Sequence, residues 1–290
     1  LKVKGTFIYD YNNYGYKATR KGFKTYTYGE YTGEYTAADA NYPALLQDNR
    51  RESERVDMQF QTNYNRTFGN HTIGATYVFE RREEKANWMN GERKFDFFTI
   101  GELDNARESD QKVSGSSEHQ AYLSHIGRLT YDYKGKYLLS ATMRADGSSK
   151  YQEKWGYFPS VGAAWNISEE GFMKDQKWVD YLKLRASWGK LGNDKVAASD
   201  GFASITQDMG TSGIFGGSAV PGYTNLVYFS WLGWEVVNET NVGLDFRTLN
   251  SRLTIEADWY YRLTQNAVID APLPMGAGNL LGNRGEILTT

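Results

Sequence analysis

Three histidines, His71, His119 and His125, are the only imidazoles in 290 residues, and there is no cysteine. Thiol catalysis, disulfides and Cys-ligated metals are thereby excluded, although the redox compartment is left open. His119 and His125 share strand parity. Six residues at strand rise nevertheless place them about 20 Å apart, too far for one metal. His71 lies beside a Gly-Asn turn. Carboxylates at Glu52, Glu54, Asp57, Glu83, Glu84, Glu169 and Glu170 offer acid/base pairs in principle, but solvated charges at strand ends and rims fit them better. Gly210, Gly213, Gly216 and Gly217 lack the Lys-Ser/Thr ending of a phosphate loop and read as a mobile loop. Asp146-Gly147-Ser148-Ser149 lacks the alternating acidic ligands of a calcium loop and reads as the exit from a strand. No catalytic residue, cofactor site or metal site is expected.

Aromatic rings are the remaining binding chemistry. Tyr26, Tyr28, Tyr31, Tyr35, Tyr223, Tyr228 and Trp231, with Trp88, Trp155 and Phe229, present flat apolar faces beside polar donors, a combination that suits sugar rings. The first seven are the candidate substrate-binding residues, and the segments 26–35 and 223–231 are expected to line a substrate vestibule. The chain carries 22 Tyr and 8 Trp, yet its mean hydropathy is −0.64. Such rings favour a surface with one apolar and one wet side. A formal charge of −2 gives no basic excess with which to neutralise phosphates, so nucleic acid is not an expected partner. No run approaches the 18 apolar residues of a membrane-crossing helix.

The elements that position these residues announce themselves by strict alternation. Val56, Met58, Phe60 and Tyr64 alternate with Asp57, Gln59, Gln61 and Asn63. The same rhythm runs through Ile73–Phe79, Tyr137–Met143, Leu182–Trp188, Thr240–Phe246 and Leu253–Tyr261. A period of two with one apolar face is the signature of a strand. Roughly 8 to 10 segments of about 10 residues suit tilted membrane-spanning strands better than the shorter strands of soluble domains.

Connections come in two lengths. Phe68-Gly69-Asn70, Tyr133-Lys134-Gly135-Lys136 and Leu249-Asn250-Ser251 are tight turns. Long polar segments fall at about 11–53, 86–117, 192–232 and 265–282, with a medium loop at 147–156. The link 168–180 reads as a short amphipathic helical piece capped by Ser168, on the short-turn side. All five prolines are expected in loops or at strand margins. Short turns on one edge and long loops on the other describe an all-β, antiparallel transmembrane β-barrel. Its lipid face takes every second strand residue, and its Tyr and Trp form interfacial girdles.

Particular strings then resemble a family. They are Arg144-Ala145-Asp146-Gly147-Ser148-Ser149-Lys150-Tyr151, Gly156-Tyr157-Phe158-Pro159-Ser160, Gly162-Ala163-Ala164-Trp165, Ile167-Ser168-Glu169-Glu170, Leu182 to Gly189, and Asn241-Val242-Gly243-Leu244-Asp245-Phe246. In this order they resemble the barrel of SusC/RagA-type TonB-dependent outer-membrane transporters of the Bacteroidetes type, most strongly over 118–290. The resemblance implies a plugged barrel of about 22 strands. It also implies a SusD-like surface lipoprotein as lid, the TonB–ExbB–ExbD complex as energy source, and import of an oligosaccharide or peptide across the cell outer membrane. Residues 1–290 are expected to form part of such a barrel, with plug, signal peptide and remaining strands outside this sequence. Two other readings stay open: a complete ten-strand barrel enzyme of the omptin protease kind, with His119 at its rim, and a soluble glycan-binding or adhesive β-protein.

Overall fold

A computed structural model describes residues 1–40, 43–96, 100–196, 204–226, 232–272 and 279–289. The strands are β1 (Lys2–Arg20), β2 (Phe23–Gly29), β3 (Glu34–Ala40), β4 (Ala44–Phe68), β5 (His71–Phe95), β6 (Lys112–Tyr133) and β7 (Tyr137–Ser148). They continue with β8 (Trp155–Asn166), β9 (Val179–Asn193), β10 (Ser204–Phe215), β11 (Ser218–Leu226), β12 (Glu235–Thr248), β13 (Leu253–Pro272) and β14 (Asn279–Thr289). Ten of them form one sheet in the order β1-β4-β5-β6-β7-β8-β9-β12-β13-β14, while β2–β3 and β10–β11 are separate hairpins. The expected all-β architecture and the three tight turns are therefore present.

Several boundaries differ from the sequence reading. β4 and β5 run for 25 residues each. Much of 44–53 and 86–95, expected as loop, is strand because the polar residues there still satisfy their backbone in a ladder. The supposed mobile glycine loop is the β10–β11 hairpin. Its Gly216-Gly217 turn has φ of 59° and 80°, the left-handed pair that a two-residue hairpin turn needs. The link after β8 is not an α-helix but two 3-10 turns, Ile167–Glu169 and Gly171–Met173. Ser168 does not cap it. Pro159 lies inside β8 opposite Met143, yet pairing of β8 with β9 begins only at Ser160↔Gly189, so no ladder bond is lost on that side.

One compact unit comprises residues 1–7, 57–82 and 120–290. Its register gathers the apolar side chains on one face. Leu139 stands between Tyr131 and Ala163, Ala163 is followed by Ala186, then Val242, then Trp259. Leu139, Val161, Leu184, Leu244, Ile255 and Trp259 on that face are all exposed. A soluble sandwich would bury this band, and here no described residue of the unit covers it. Aromatic residues border it. His71, Tyr133, Tyr137 and Trp165 form a chain of ring contacts at the short-turn end. Tyr77, Phe79, His125 and Trp155 cluster at the other end. From Tyr133 to His125 is eight residues, about 26 Å along a strand and about 20 Å across a layer at the usual tilt. That approaches the apolar band of a membrane barrel. The upper aromatics also step along the register, from Tyr157 opposite Ala145, to Trp188 opposite Val161, to Trp259 in the row of Leu139. A steady offset of this kind is what strand tilt demands.

The same unit has its own small core where β7, β8, β9 and β12 meet the long connections. Tyr151, Phe158 and Leu232 are buried. Trp234 packs on Tyr151 at 4.8 Å and edge-on to Phe158 at 5.4 Å between ring centroids. Tyr151 donates to the Asn193 carbonyl at 3.2 Å, and Lys150 to that of Asp194 at 3.1 Å. The Gln152 amide donates to the Leu232 carbonyl. Burial raises the Tyr151 phenol pKa, so the hydroxyl stays a donor. The segment 149–154 thus ties both stems of the 194–234 excursion. The Phe158 ring fills the space that a Cβ on Gly156 or Gly192 would take.

The second unit comprises residues 8–56 and 83–119. Its core is Ala44, Leu46 and Phe95, against which Leu103 and Ala106 pack. Arg93 donates to the Leu103 carbonyl at 2.9 Å and to Gln111 at 2.8 Å, while Arg107 pairs with Asp96 and Asp110. These bonds fold the segment with 3-10 turns Leu103–Asn105 and Glu108–Asp110 onto the strands. In the full-length protein, Gly192→Val is expected to lower stability by about 1–3 kcal/mol by overpacking against Phe158. Gly127→Ala, with open space around it, should change little. Urea unfolding of the detergent-solubilised protein measures both, and an undiminished G192V midpoint contradicts the packing described.

Candidate functional site

Alternation sends most charged side chains of the strands to the face opposite the apolar band. There they pair across strands rather than converge. Asp57 accepts from Arg82 at 2.7 Å, Gln59 donates to Glu80 at 2.6 Å, and Asn63 accepts from Thr76 at 3.0 Å. In the second unit Arg55 pairs with Asp10 at 2.6 Å and Gln47 with Glu92 at 2.8 Å. The longest tie spans three strands. Arg185 on β9, Gly243 on β12 and Asp258 on β13 share one register row. Arg185 reaches over Gly243 to Asp258 at 2.8 Å and also donates to Asp245 at 3.2 Å. Gly243 is required there, since a Cβ would lie 2.7 Å from the guanidinium. Sequence reasoning did not single out this triad. The one visible signal was a charged residue in each of three neighbouring alternations.

Carboxylates organise the short-turn end, Glu170 with the most donors. Glu170 accepts from Lys136 at 2.8 Å, from the Tyr137 hydroxyl at 2.6 Å and from the Trp165 indole at 3.2 Å. These donors, Lys136 first, hold its carboxyl at a pKa of about 2. Asn166 bonds the Gly135 carbonyl with its side-chain amide and the Lys136 carbonyl with its backbone N–H. The link 167–173 is therefore fixed by bonds to the β6–β7 turn, not by helix propensity. Asp180 takes the Ser251 amide at 2.8 Å and steadies the β12–β13 turn. There Leu249, Asn250 and Ser251 all have φ near 57°.

Each of the three histidines shares a hydrogen bond with one neighbouring side chain. His71 shares a hydrogen bond of 2.7 Å with the Tyr131 hydroxyl, and His125 one of 2.9 Å with that of Tyr77. His119 meets Glu83 at 2.9 Å, and this hydrogen bond lowers the Glu83 pKa. The rim pairing that an omptin-like enzyme needs is thus present only in its simplest form, one exposed histidine–carboxylate hydrogen bond. Among the described residues no group of three or more His, Asp or Glu could hold a metal ion.

The candidate ring residues divide sharply. Tyr26, Tyr28 and Tyr35 come together on one face of the β2–β3 hairpin, because Tyr28 pairs with Tyr35 and Tyr26 with Ala37. The Tyr28 and Tyr35 rings lie 5.1 Å apart, and all three tyrosines are exposed. Ala37 leaves a gap beside Tyr26. Tyr31 sits fully exposed in the turn and is not part of this ledge. Tyr223 lies on β11 opposite Gln207, while Tyr228, Phe229 and Trp231 fall outside the described residues. The Trp155 ring stacks on His125 in the aromatic border.

An exposed apolar band between aromatic borders, a paired polar face and alternating short and long connections define a stretch of membrane β-barrel wall. Residues 3–289 match the family described as TonB dependent receptor-like, beta-barrel, and the chain belongs to that family. TonB-dependent receptor P39 of Formosa agariphila is 33% identical over 82% of this chain and 24% of its own length. TonB-dependent receptor SusC of Bacteroides thetaiotaomicron is 35% identical over 53% of this chain and 16% of its own length. The chain thus spans about a quarter or less of these curated relatives. The RagAB peptide transporter has the same fold, with a TM-score of 0.79 at 20% identity over 99% of this chain and 31% of that one. The resemblance to SusC/RagA transporters and the partial-barrel fold are both upheld, and the soluble-sandwich reading is not. Members of the family are outer-membrane transporters rather than enzymes.

Replacing Glu170 with Gln in the full-length protein is expected to lower its unfolding midpoint at pH 7. The carboxylate's contribution is complete above its ordinary pKa of 4.5 and is lost as pH falls toward 2. The gap between E170Q and the parent should therefore close over that range. Melts at pH 7 and pH 2.5 test it, and a gap that widens in acid contradicts the assignment.

Proposed function

We propose that this chain forms part of the barrel wall of a SusC/RagA-type importer in the outer membrane of a Bacteroidetes-type Gram-negative cell. Its cargo is an oligosaccharide or a peptide. A SusD-like surface lipoprotein and the TonB–ExbB–ExbD complex act with the whole transporter, the latter through a plug outside these residues. The chain itself carries no catalysis. Similarity to SusC and to the RagAB peptide transporter supports this reading.

The observation that carries the cargo side is the Tyr26–Tyr28–Tyr35 ledge. It lies in the connection between β1 and β4, on the sheet edge opposite the tight turns. Three exposed rings beside an alanine gap, two of them tilted by 51° to each other, make an apolar ledge that also carries hydroxyl donors. Such a ledge stacks on the apolar face of a sugar ring or along an extended peptide. Tyr31, Tyr223, Tyr228 and Trp231 are kept as further contacts of the same vestibule.

In the full-length transporter, the triple change Tyr26→Ala, Tyr28→Ala, Tyr35→Ala is expected to weaken ligand binding by tenfold or more, about 1.4 kcal/mol. Uptake should fall with it, while the amount of folded protein in the membrane stays constant. Calorimetric titration with candidate oligosaccharides and peptides also separates the two cargo classes. Unchanged uptake together with unchanged affinity sinks the ledge assignment.

A further inference from the structure

The apolar face of the first unit is not evenly filled. Ala141, Ala163 and Ala186 lie side by side across β7, β8 and β9, since Leu139 pairs with Ala163, Ala163 with Ala186, and Ala141 with Val161. Larger side chains stand around them, with Leu129 and Tyr131 on one side and Trp188 on the other. The result is an open groove of about 640 Å³ with an almost wholly apolar lining. It follows the register rows obliquely across the band, with Tyr131 near one aromatic border and Trp188 near the other. Within a bilayer an empty apolar furrow forfeits dispersion contacts on one side, so something must fill it.

Charge decides what stands at its mouth. At the Tyr131 end, the Lys134 ammonium lies over the Tyr133 ring at 5.5 Å, and the Arg66 guanidinium over the Phe68 ring at 4.7 Å. Both rings have the parity of the apolar face, so both cations sit on the lipid side of the wall. His71 is beside them, bonded to Tyr131. The two turns are tied by the Lys134 amide donating to the Asn70 carbonyl at 2.9 Å. Of the carboxylates at this end, Glu170 has its charge taken up by Lys136, Tyr137 and Trp165, and Asp132 accepts from the Gly135 amide at 2.6 Å. Among the described residues neither Arg66 nor Lys134 has an ion-pair partner, and both are exposed. Three residues separate Tyr131 from Lys134, about 10 Å of strand. That matches the distance between a lipid phosphate and the upper part of its acyl chain.

We propose that this groove is a selective site for one anionic glycerophospholipid of the leaflet on the short-turn side, with an acyl chain over Ala141, Ala163 and Ala186 and the phosphate at Lys134 and Arg66. The inference rests on the membrane placement given above. Membrane fractionation of the full-length protein checks that placement separately, since a protein soluble without detergent defeats it before any lipid is added.

The test is native mass spectrometry of the full-length protein, purified in mild detergent and titrated with palmitoyl-oleoyl phosphatidylglycerol or phosphatidylethanolamine. The parent protein is expected to retain one phosphatidylglycerol at least about fivefold more strongly than phosphatidylethanolamine, as two basic groups at a membrane surface should provide. Ala163→Phe fills the furrow and should abolish the retained lipid. Lys134→Glu with Arg66→Glu leaves the furrow open and should abolish only the headgroup preference, so the proposal stays testable if A163F fails to fold. Equal retention in a folded A163F, or no headgroup preference in the parent, overturns it. So does a dimer that A163F dissociates without any change in lipid, which assigns the groove to a second copy of the chain.

Discussion

A backbone that crosses hydrocarbon has to satisfy each N–H and C=O inside the protein, because no water is there to do it. Everything else in this chain follows from that constraint. It imposes continuous antiparallel pairing from β6 to β14. Pairing fixes the two-residue period, and the period sorts side chains to two faces. The apolar face then takes lipid and the polar face takes charge. Buried apolar residues are correspondingly few and lie at the margins, around Phe158 in one unit and Phe95 in the other. The stability of the wall is carried by its ladders and cross-strand pairs more than by any core.

The same constraint explains how ionic groups are used. Arg185, Asp245 and Asp258 lock three strands in register on the polar face. Glu170 draws three donors from two strands and a turn into one carboxylate. In both arrangements each charge is answered by a neighbour. They are register devices: a one-residue slip would separate all of the partners at once.

How much of this could be read beforehand depended on the range of the interaction. The alternation of Val56–Tyr64 or Leu182–Trp188 is local, and it named strands and faces correctly. Gly69, Gly135 and the Leu249–Ser251 turn are local too. Ser168 misled because its capping pattern is a local signal, whereas the fate of that link is decided by Asn166 and Glu170 reaching the β6–β7 turn some thirty residues away. Hairpins inside the long connections were missed for a related reason. Phe23–Gly29 and Glu34–Ala40 are rich in Tyr and Thr, good strand formers, but with polar residues on both faces they lack a clear alternation. Of the seven candidate ring residues, register gathers Tyr26, Tyr28 and Tyr35. That grouping required knowing that Tyr28 faces Tyr35, which spacing alone does not reveal.

β4 and β5 are 25 residues long, yet the band between the aromatic borders occupies only about eight rows of the sheet. Most of their length is thus ladder standing outside hydrocarbon. Such a ladder tolerates change only in even steps. A single residue inserted between Gln47 and Arg55 would turn one of them away from its partner, Glu92 or Asp10, whereas an inserted pair would preserve every face. Length variation among relatives should therefore fall at hairpin tips such as 30–33, and where it enters these strands it should come as pairs or as bulges. The length of these strands is in that sense quantised, growing by whole cross-strand rungs.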